Sequence, residues 1–166
     1  KVEKIICPAT GLNHIDTAEC KNLGIEIISL KGEYVFLKEI RATAELTIAL
    51  TLAILRKVPQ SFESVKNFKW DRNQFKGNEI YKKTVGIIGY GRLGKIIAKY
   101  FHAFGAKILI YDKKIINLKK YSVVNSLENI VANSDIITLH VDYNSSSHRM
   151  MNASIFNKFK KGSIFI

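Results

Sequence analysis

The sequence predicts an α/β protein, a doubly wound parallel sheet preceded by one separate βαβ unit. Three observations predict it. From Thr84 onward, short apolar runs alternate with helix-length stretches, which is the pattern of strands and crossover helices. The glycine-rich loop "GYGRLG", Gly89 to Gly94, joins one such run directly to an amphipathic stretch. Before them, "EKIIC", "IDTAECKNLG" and "IEIISL" read as strand, helix and strand around the turn "PATGLN".

The elements follow in order. The first unit, with its helix closed by Gly24, cannot bury both faces of a sheet by itself. A loop around Gly32 leads to "RATAELTIALTLAILRK", Arg41 to Lys57, a helix apolar nearly all round and therefore expected to be packed on several sides. Pro59 ends that helix or starts the next turn. The polar "SFESVKNFKWDRNQFKGNE" predicts a helix and then a surface excursion anchored by Trp70 and Phe75. Beyond it the reading is strand Val85–Ile88, helix Arg92–Phe104, strand Lys107–Tyr111 and a weaker strand near Val123. Helix Leu127–Ala132, strand Asp135–Val141, helix Ala153–Phe159 stopped by Gly162, and strand Ser163–Ile166 complete it.

Composition narrows the function classes. With 166 residues, 47% hydrophobic and 24% charged, the chain reads as one compact globular domain with part of a second. The apolar segment Ile40 to Leu55 contains Arg41 and Glu45 and is too short to span a bilayer comfortably, so no membrane role is expected. Cys7 and Cys20 have neither CxxC spacing nor a histidine cluster, which points to reduced core thiols, no metal and a cytoplasmic setting. The net charge of +12 comes mostly from lysines in scattered pairs, not from one basic stripe with interleaved aromatics. A solvated lysine-rich surface is the expectation, with no nucleic-acid partner.

The glycine loop has a mechanism because of its context. Gly89 permits a tight turn out of the strand, Gly91 lets a pyrophosphate approach the backbone, and Gly94 lets the helix pack against the strand. The helix N-terminus offers N–H groups and partial positive charge to the anion. Asp112, roughly 20 residues beyond the third glycine and at the end of "AKILIYD", is placed to accept from the adenosine ribose hydroxyls. That acid favours NAD over NADP.

These residues resemble the D-isomer-specific 2-hydroxyacid dehydrogenases. "VGIIGYGRLGKIIAKYFHAFGAKILIYD" is similar to that family's coenzyme motif, "SDIITLHV" to a later strand, and "MMNASIFNKFKKGSIFI" to the helix and strand after it. Upstream, "TGLNHID" resembles a substrate-domain turn and "RATAELTIALTLAILRK" the long interdomain helix. The resemblance implies a Rossmann-like coenzyme domain, incomplete here, over 41–166 with the interdomain helix. Residues 1–40 would be the last βαβ unit of a flavodoxin-like substrate domain and its link. It further implies that Arg92 and Leu93 meet the pyrophosphate through their backbone, and that Gly89, Gly91, Gly94 and Asp112 complete that half of the site. His140, Val141 and Asp142 would line the adenosine half, Ser147 would stand near a cofactor phosphate, and Thr10 and Gly11 would meet the substrate carboxylate. Asp142 departs from the family's usual proline, Lys82 stands where a glycine is common, and "SLKGEYVFLKEI" is longer than the usual link.

Hydride transfer to or from a 2-hydroxy acid also needs a cation for the carboxylate, a general acid/base and an acid to tune it. The resemblance implies an arginine, a histidine and a glutamate for these tasks, all beyond Ile166. His140 is assigned to shaping the cofactor loop, and His14, His102 and His148 to structural or surface roles, so no catalytic residue is assigned. The expectation is a fragment, catalytically silent alone, of an NAD-dependent enzyme for a D-2-hydroxy or 2-keto acid, phosphoglycerate-like in its nearest group. The resemblance also implies a homodimer through the long helix. A non-catalytic NAD-sensing or corepressor-like module is the alternative.

Overall fold

The computed structural model describes residues 1–114 and 117–166, which form two compact units. One comprises Lys1–Ile40 with Asp142–His148, the other Arg41–Val141 with Arg149–Ile166.

In the first unit, β1 (Lys4–Cys7) and β2 (Glu26–Ser29) pair in parallel, with Lys4 opposite Glu26 and Cys7 opposite Ser29. Helix α1 (Thr17–Asn22) crosses between them. Asp16 starts it, its carboxylate accepting from the Glu19 N–H at 2.9 Å, as an N-cap acid should. One strand pair and one short helix leave apolar surface uncovered: Ile6 and Ile28 stay exposed while Cys7 and Cys20 are buried free thiols. A four-residue helix α2 (Tyr34–Leu37), not foreseen in the sequence reading, seats only Leu37.

The second unit opens with α3 (Ala42–Leu55), whose Ala44, Thr47, Thr51 and Leu55 face inward. The two buried threonine hydroxyls donate to the carbonyls four residues earlier, Thr43 at 2.9 Å and Thr47 at 2.7 Å, so burial leaves neither unpaired. The opposite stripe, Leu46, Leu50 and Ile54, is exposed, so this chain covers only one side of the helix. Lys57, at φ 52, turns the chain into α4 (Val58–Lys66). Pro59 therefore sits in the first turn of α4, where a missing N–H costs nothing. A 3₁₀ turn follows at Arg72–Phe75, tied back by the Lys57 ammonium donating to the Gln74 carbonyl at 3.1 Å. Phe75 is half-buried, but Trp70 is 85% exposed and does not serve as an anchor among the described residues.

The main sheet runs β5 (Ser122–Val123), β4 (Lys107–Tyr111), β3 (Thr84–Ile88), β6 (Ile136–Leu139), β7 (Ile164–Phe165), all parallel. Helices α5 (Arg92–Ala103), α6 (Leu127–Asn133) and α7 (Ala153–Phe156) complete it, α7 ending three residues earlier than the sequence reading. Two apolar layers sandwich the sheet. Val85, Ile87, Ile108, Ile110 and Ile136 pack with Ile97 and Phe101 of α5, while Ile88 and Ile137 pack with Ile130 and Val131 of α6. That is the alternation a parallel sheet buried on both faces requires. The chain goes outward from β3 through β4 to β5 and then returns to β6 and β7 on the other side. The direction of winding reverses between β3 and β6, which opens a crevice beyond their C-terminal ends.

Two polar atoms near that end are buried with no hydrogen-bond partner among the described residues, Thr138 Oγ1 on β6 and His140 Nε2 just past it. Burial lowers the His140 pKa from 6.5 to about 4.

Phe101 is fully buried, and its truncation to alanine is expected to cost about 3–5 kcal/mol in urea unfolding. Trp70→Ala, at an exposed position, should stay within about 0.5 kcal/mol by the same measurement. His140 sets a pH dependence. Its folded pKa lies below its unfolded one, so between pH 6.5 and about 4 the unfolded chain takes up a proton that the folded chain does not. Stability is thus complete above that window and falls as pH drops through it, by about 2 kcal/mol after discounting for partial exposure. Urea midpoints across the window should show this slope, and His140→Leu should flatten it.

Candidate functional site

The crevice beyond β3 and β6 is built from backbone before side chains. Ile88 pairs with Tyr111 on one side and Leu139 on the other, so the residues that follow, Gly89, Asp112 and His140, emerge side by side. Gly89 adopts φ 91, a left-handed conformation in which any side chain is strained. Its N–H donates to the Tyr111 carbonyl at 2.8 Å, and a β-carbon there would run into the His140 carbonyl. The His140 N–H in turn donates to Ile88 at 2.7 Å, which locks the two strand ends together.

Gly91 begins α5. No side chain caps this 12-residue helix, and space around a β-carbon at Gly91 is open to 4 Å. First-turn N–H groups of a helix lack carbonyl partners four residues earlier, so this terminus presents donors and partial positive charge to an approaching anion. Arg92 and Leu93, both half-buried, form the first turn. Gly94 is buried because the helix crosses the loop closely: a β-carbon there would strike the Gly89 carbonyl oxygen.

Asp112 lies at the end of β4, half-buried. One carboxylate oxygen accepts from the Tyr90 N–H at 2.7 Å and the other from the Lys114 N–H at 2.9 Å. The acid therefore ties down the middle of the glycine loop, a task the sequence reading did not assign to it. Each oxygen retains a further lone-pair site for an external hydroxyl. Tyr90, which the sequence reading passed over, sits on the same loop, its ring edge-on to Tyr121 at 6.5 Å between centroids. Burial, with a smaller contribution from Tyr121, raises the Tyr90 hydroxyl above its ordinary pKa. The signal for Tyr90 was its place between the first two glycines, where the backbone and not the residue type carries the contact. Val141 is partly exposed beside the Gly89 turn. His140, held neutral by burial, adds shape without charge.

The structure thus gathers Gly89, Gly91, Arg92, Leu93, Gly94, Asp112, His140 and Val141 at one end of the main sheet. The remaining candidates belong to the other unit. Asp142 and Ser147 close a short loop there, the Ser147 hydroxyl donating to the Asp142 carbonyl at 2.6 Å while accepting from the Asn144 N–H at 2.9 Å. Thr10 and Gly11 are exposed in the turn between β1 and α1. Nearby, His14 Nε2 lies 3.5 Å from the Cys7 sulfur. His148 is paired with the Tyr143 hydroxyl at 2.7 Å, and His102 lies edge-on to Tyr121. Among the described residues there is no group of histidine, cysteine and carboxylate side chains placed to hold a metal, and no helix long and apolar enough to cross a membrane.

Comparison with known proteins agrees with this geometry. Residues 48–166 match the family model described as D-isomer specific 2-hydroxyacid dehydrogenase, NAD binding domain. The chain is 31% identical, over all of its length, to a D-3-phosphoglycerate dehydrogenase of Methanocaldococcus jannaschii, of which it covers 32%. It is 34% identical, over 98% of its length, to a hydroxypyruvate reductase of Thermotoga maritima, of which it covers 52%. Among solved structures, the D-lactate dehydrogenase of Aquifex aeolicus complexed with NAD and lactic acid matches 98% of this chain and 48% of its own, at 31% identity and a TM-score of 0.80. The chain therefore spans between about a third and a half of the length of these relatives. It belongs to the D-isomer specific 2-hydroxyacid dehydrogenase family, and residues 48–166 are its NAD binding domain.

Proposed function

We propose that the chain is the coenzyme-holding part of an NAD-dependent D-2-hydroxyacid dehydrogenase. The observation that carries this reading is the uncapped N-terminus of α5 facing open space at Gly91, beside the Asp112 carboxylate. Pyrophosphate would lie on the backbone of Gly89, Gly91, Arg92, Leu93 and Gly94. Asp112 would accept from the adenosine ribose and disfavour a 2′-phosphate by charge. His140 and Val141 would border the adenosine half, and the Asp142–Ser147 loop would contribute the Ser147 hydroxyl near phosphate. Thr10 and Gly11 would offer backbone N–H groups to a substrate carboxylate. Residues 1–40 would then belong to the substrate domain, and 41–166 to the interdomain helix and coenzyme domain.

When bound, NAD supplies the hydride acceptor or donor for interconversion of a 2-hydroxy acid and its 2-keto acid. This chain's own residues hold and orient it. No histidine here stands ready as the general acid/base. His140 is buried and neutral, His148 is bonded to Tyr143, His102 lies against Tyr121, and His14 against Cys7. The arginine, glutamate and histidine of the reaction are accordingly assigned to parts of the protein outside these 166 residues, in keeping with the share of its relatives that the chain spans. A 3-phosphoglycerate-like acid is the first substrate to test, given the name of one relative.

Leu46, Leu50 and Ile54 recur every four residues on α3, and Val58 and Phe62 are exposed on α4. Such uncovered apolar residues suit the isologous contact of a homodimer.

Isothermal titration of the chain with NAD tests the coenzyme reading. Gly91→Ala should still fold, because its β-carbon meets nothing, at a cost of about 1 kcal/mol for a poorer N-cap. It should nevertheless bind NAD at least about tenfold more weakly through blocked approach to the backbone. Unchanged affinity in that variant would refute the assigned site. The chain alone should show no turnover of D-lactate, D-glycerate or 3-phosphoglycerate with NAD; measurable turnover would place the reacting groups inside it. Sedimentation velocity should give a dimer that Leu50→Lys combined with Phe62→Glu converts to monomer, and a wild-type monomer would remove the interface.

A further inference from the structure

The register that aligns the ends of the main strands also aligns their beginnings. Thr84 pairs with Lys107, the Asp135 N–H donates to Thr84 at 2.8 Å, and the Ile164 N–H donates to Asp135 at 3.0 Å. Residues distant in sequence therefore meet along the N-terminal edge of the sheet: Lys83 before β3, Asp135 before β6, and Lys160 and Lys161 before β7. The last two sit on a turn closed by the Ser163 N–H donating to Lys160 at 3.0 Å, with Gly162 at φ 79 supplying the left-handed position.

A cavity of about 230 Å³ opens here, its polar lining made of Asn78, Lys83, Asp135, Lys160, Lys161 and Ser163. Asp135 is already engaged. One oxygen accepts from the Thr84 N–H at 2.8 Å and the other from Lys160 at 2.5 Å. Burial would raise its pKa, but these bonds and the Lys83 charge outweigh that and hold it below its ordinary value. Lys160 is thus compensated within the site. Among the described residues the ion pairs are Lys4–Glu26, Lys158–Glu128 and Lys160–Asp135, so no carboxylate is paired with Lys83 or Lys161.

We propose that this cavity is an anion site that takes one phosphate group, free or as a phosphomonoester. Lys83 and Lys161 supply the two positive charges, and the Ser163 hydroxyl and Asn78 amide supply neutral donors. A tetrahedral dianion matches that set in charge and in number of acceptor oxygens, while lysine serves as a point charge that needs no planar partner. The site is separate from the glycine loop. Lys83 and Gly89 flank opposite ends of β3, about 20 Å apart at strand rise.

Amide shifts of the full chain during titration with inorganic phosphate, at ionic strength held constant with sodium chloride, test the proposal. Saturable shifts are expected at Lys83, Lys161, Gly162 and Ser163, and they should persist when NAD is present in excess. Lys83→Gln and Lys161→Gln should each weaken phosphate by about threefold or more. Lys161→Gln alters only an exposed turn side chain and so does not endanger the fold. Lys99→Gln, exposed on α5 outside the cavity, should leave affinity unchanged. Shifts that never saturate, that spread over lysines everywhere, or that weaken equally in Lys99→Gln would overturn the site. Loss of the shifts on adding NAD would also overturn it, because phosphate would then be reading the glycine loop. Titration without NAD decides the point even if the coenzyme reading fails.

Discussion

The candidate site at the glycine loop depends on the parallel pairing of β3 with both of its neighbours. A backbone ladder carries no chemistry of its own, but its register is a positioning device. Because Ile88 lies level with Tyr111 and Leu139, three short stretches of chain are delivered to one crevice within a residue of each other. A slip of one residue would send every side chain of the slipped strand to the opposite face and dismantle both apolar layers. The core therefore enforces the site: Ile87 and Ile88, on opposite faces of one strand, are each fully buried in their own layer.

Electrostatics at the two edges of the sheet differ in kind. At the C-terminal edge an anion would meet peptide dipoles at the start of α5, with Arg92 in the first turn, an engaged acid and a neutral imidazole around them. At the N-terminal edge it comes from lysine charge around an acid that is already satisfied. The first depends on the geometry of one helix turn and the second on side-chain charge, and salt screens both.

The glycine loop was readable in the sequence because residue type there states backbone geometry directly. Gly89 needs a positive φ, Gly94 needs a missing side chain, and both requirements are met in the structure. Strand and helix order from Thr84 onward was readable for the same reason, through apolar periodicity. The bond from Tyr90 to Asp112 was not readable, because its donor is an amide that every residue other than proline possesses. Trp70 misled, since an aromatic residue signals a need for cover without saying whether this chain supplies it. The basic edge was hidden for a third reason. Lys83 and the pair Lys160–Lys161 look scattered until the sheet order brings β3 and β7 to either side of β6. The compact units follow contacts, and the return of Asp142–His148 to the first of them had no sequence signal at all.

The double engagement of Asp112 bears on how such a site can evolve. Its carboxylate holds Tyr90 and Lys114 by their backbones, so it is part of the loop's scaffold as well as a candidate reader of the coenzyme. A lineage drifting toward a different nucleotide by replacing this residue would loosen its own glycine loop in the same step. Preference and architecture are thus inherited together, and the accessible routes to a new preference are those in which another group first takes over the Tyr90 amide.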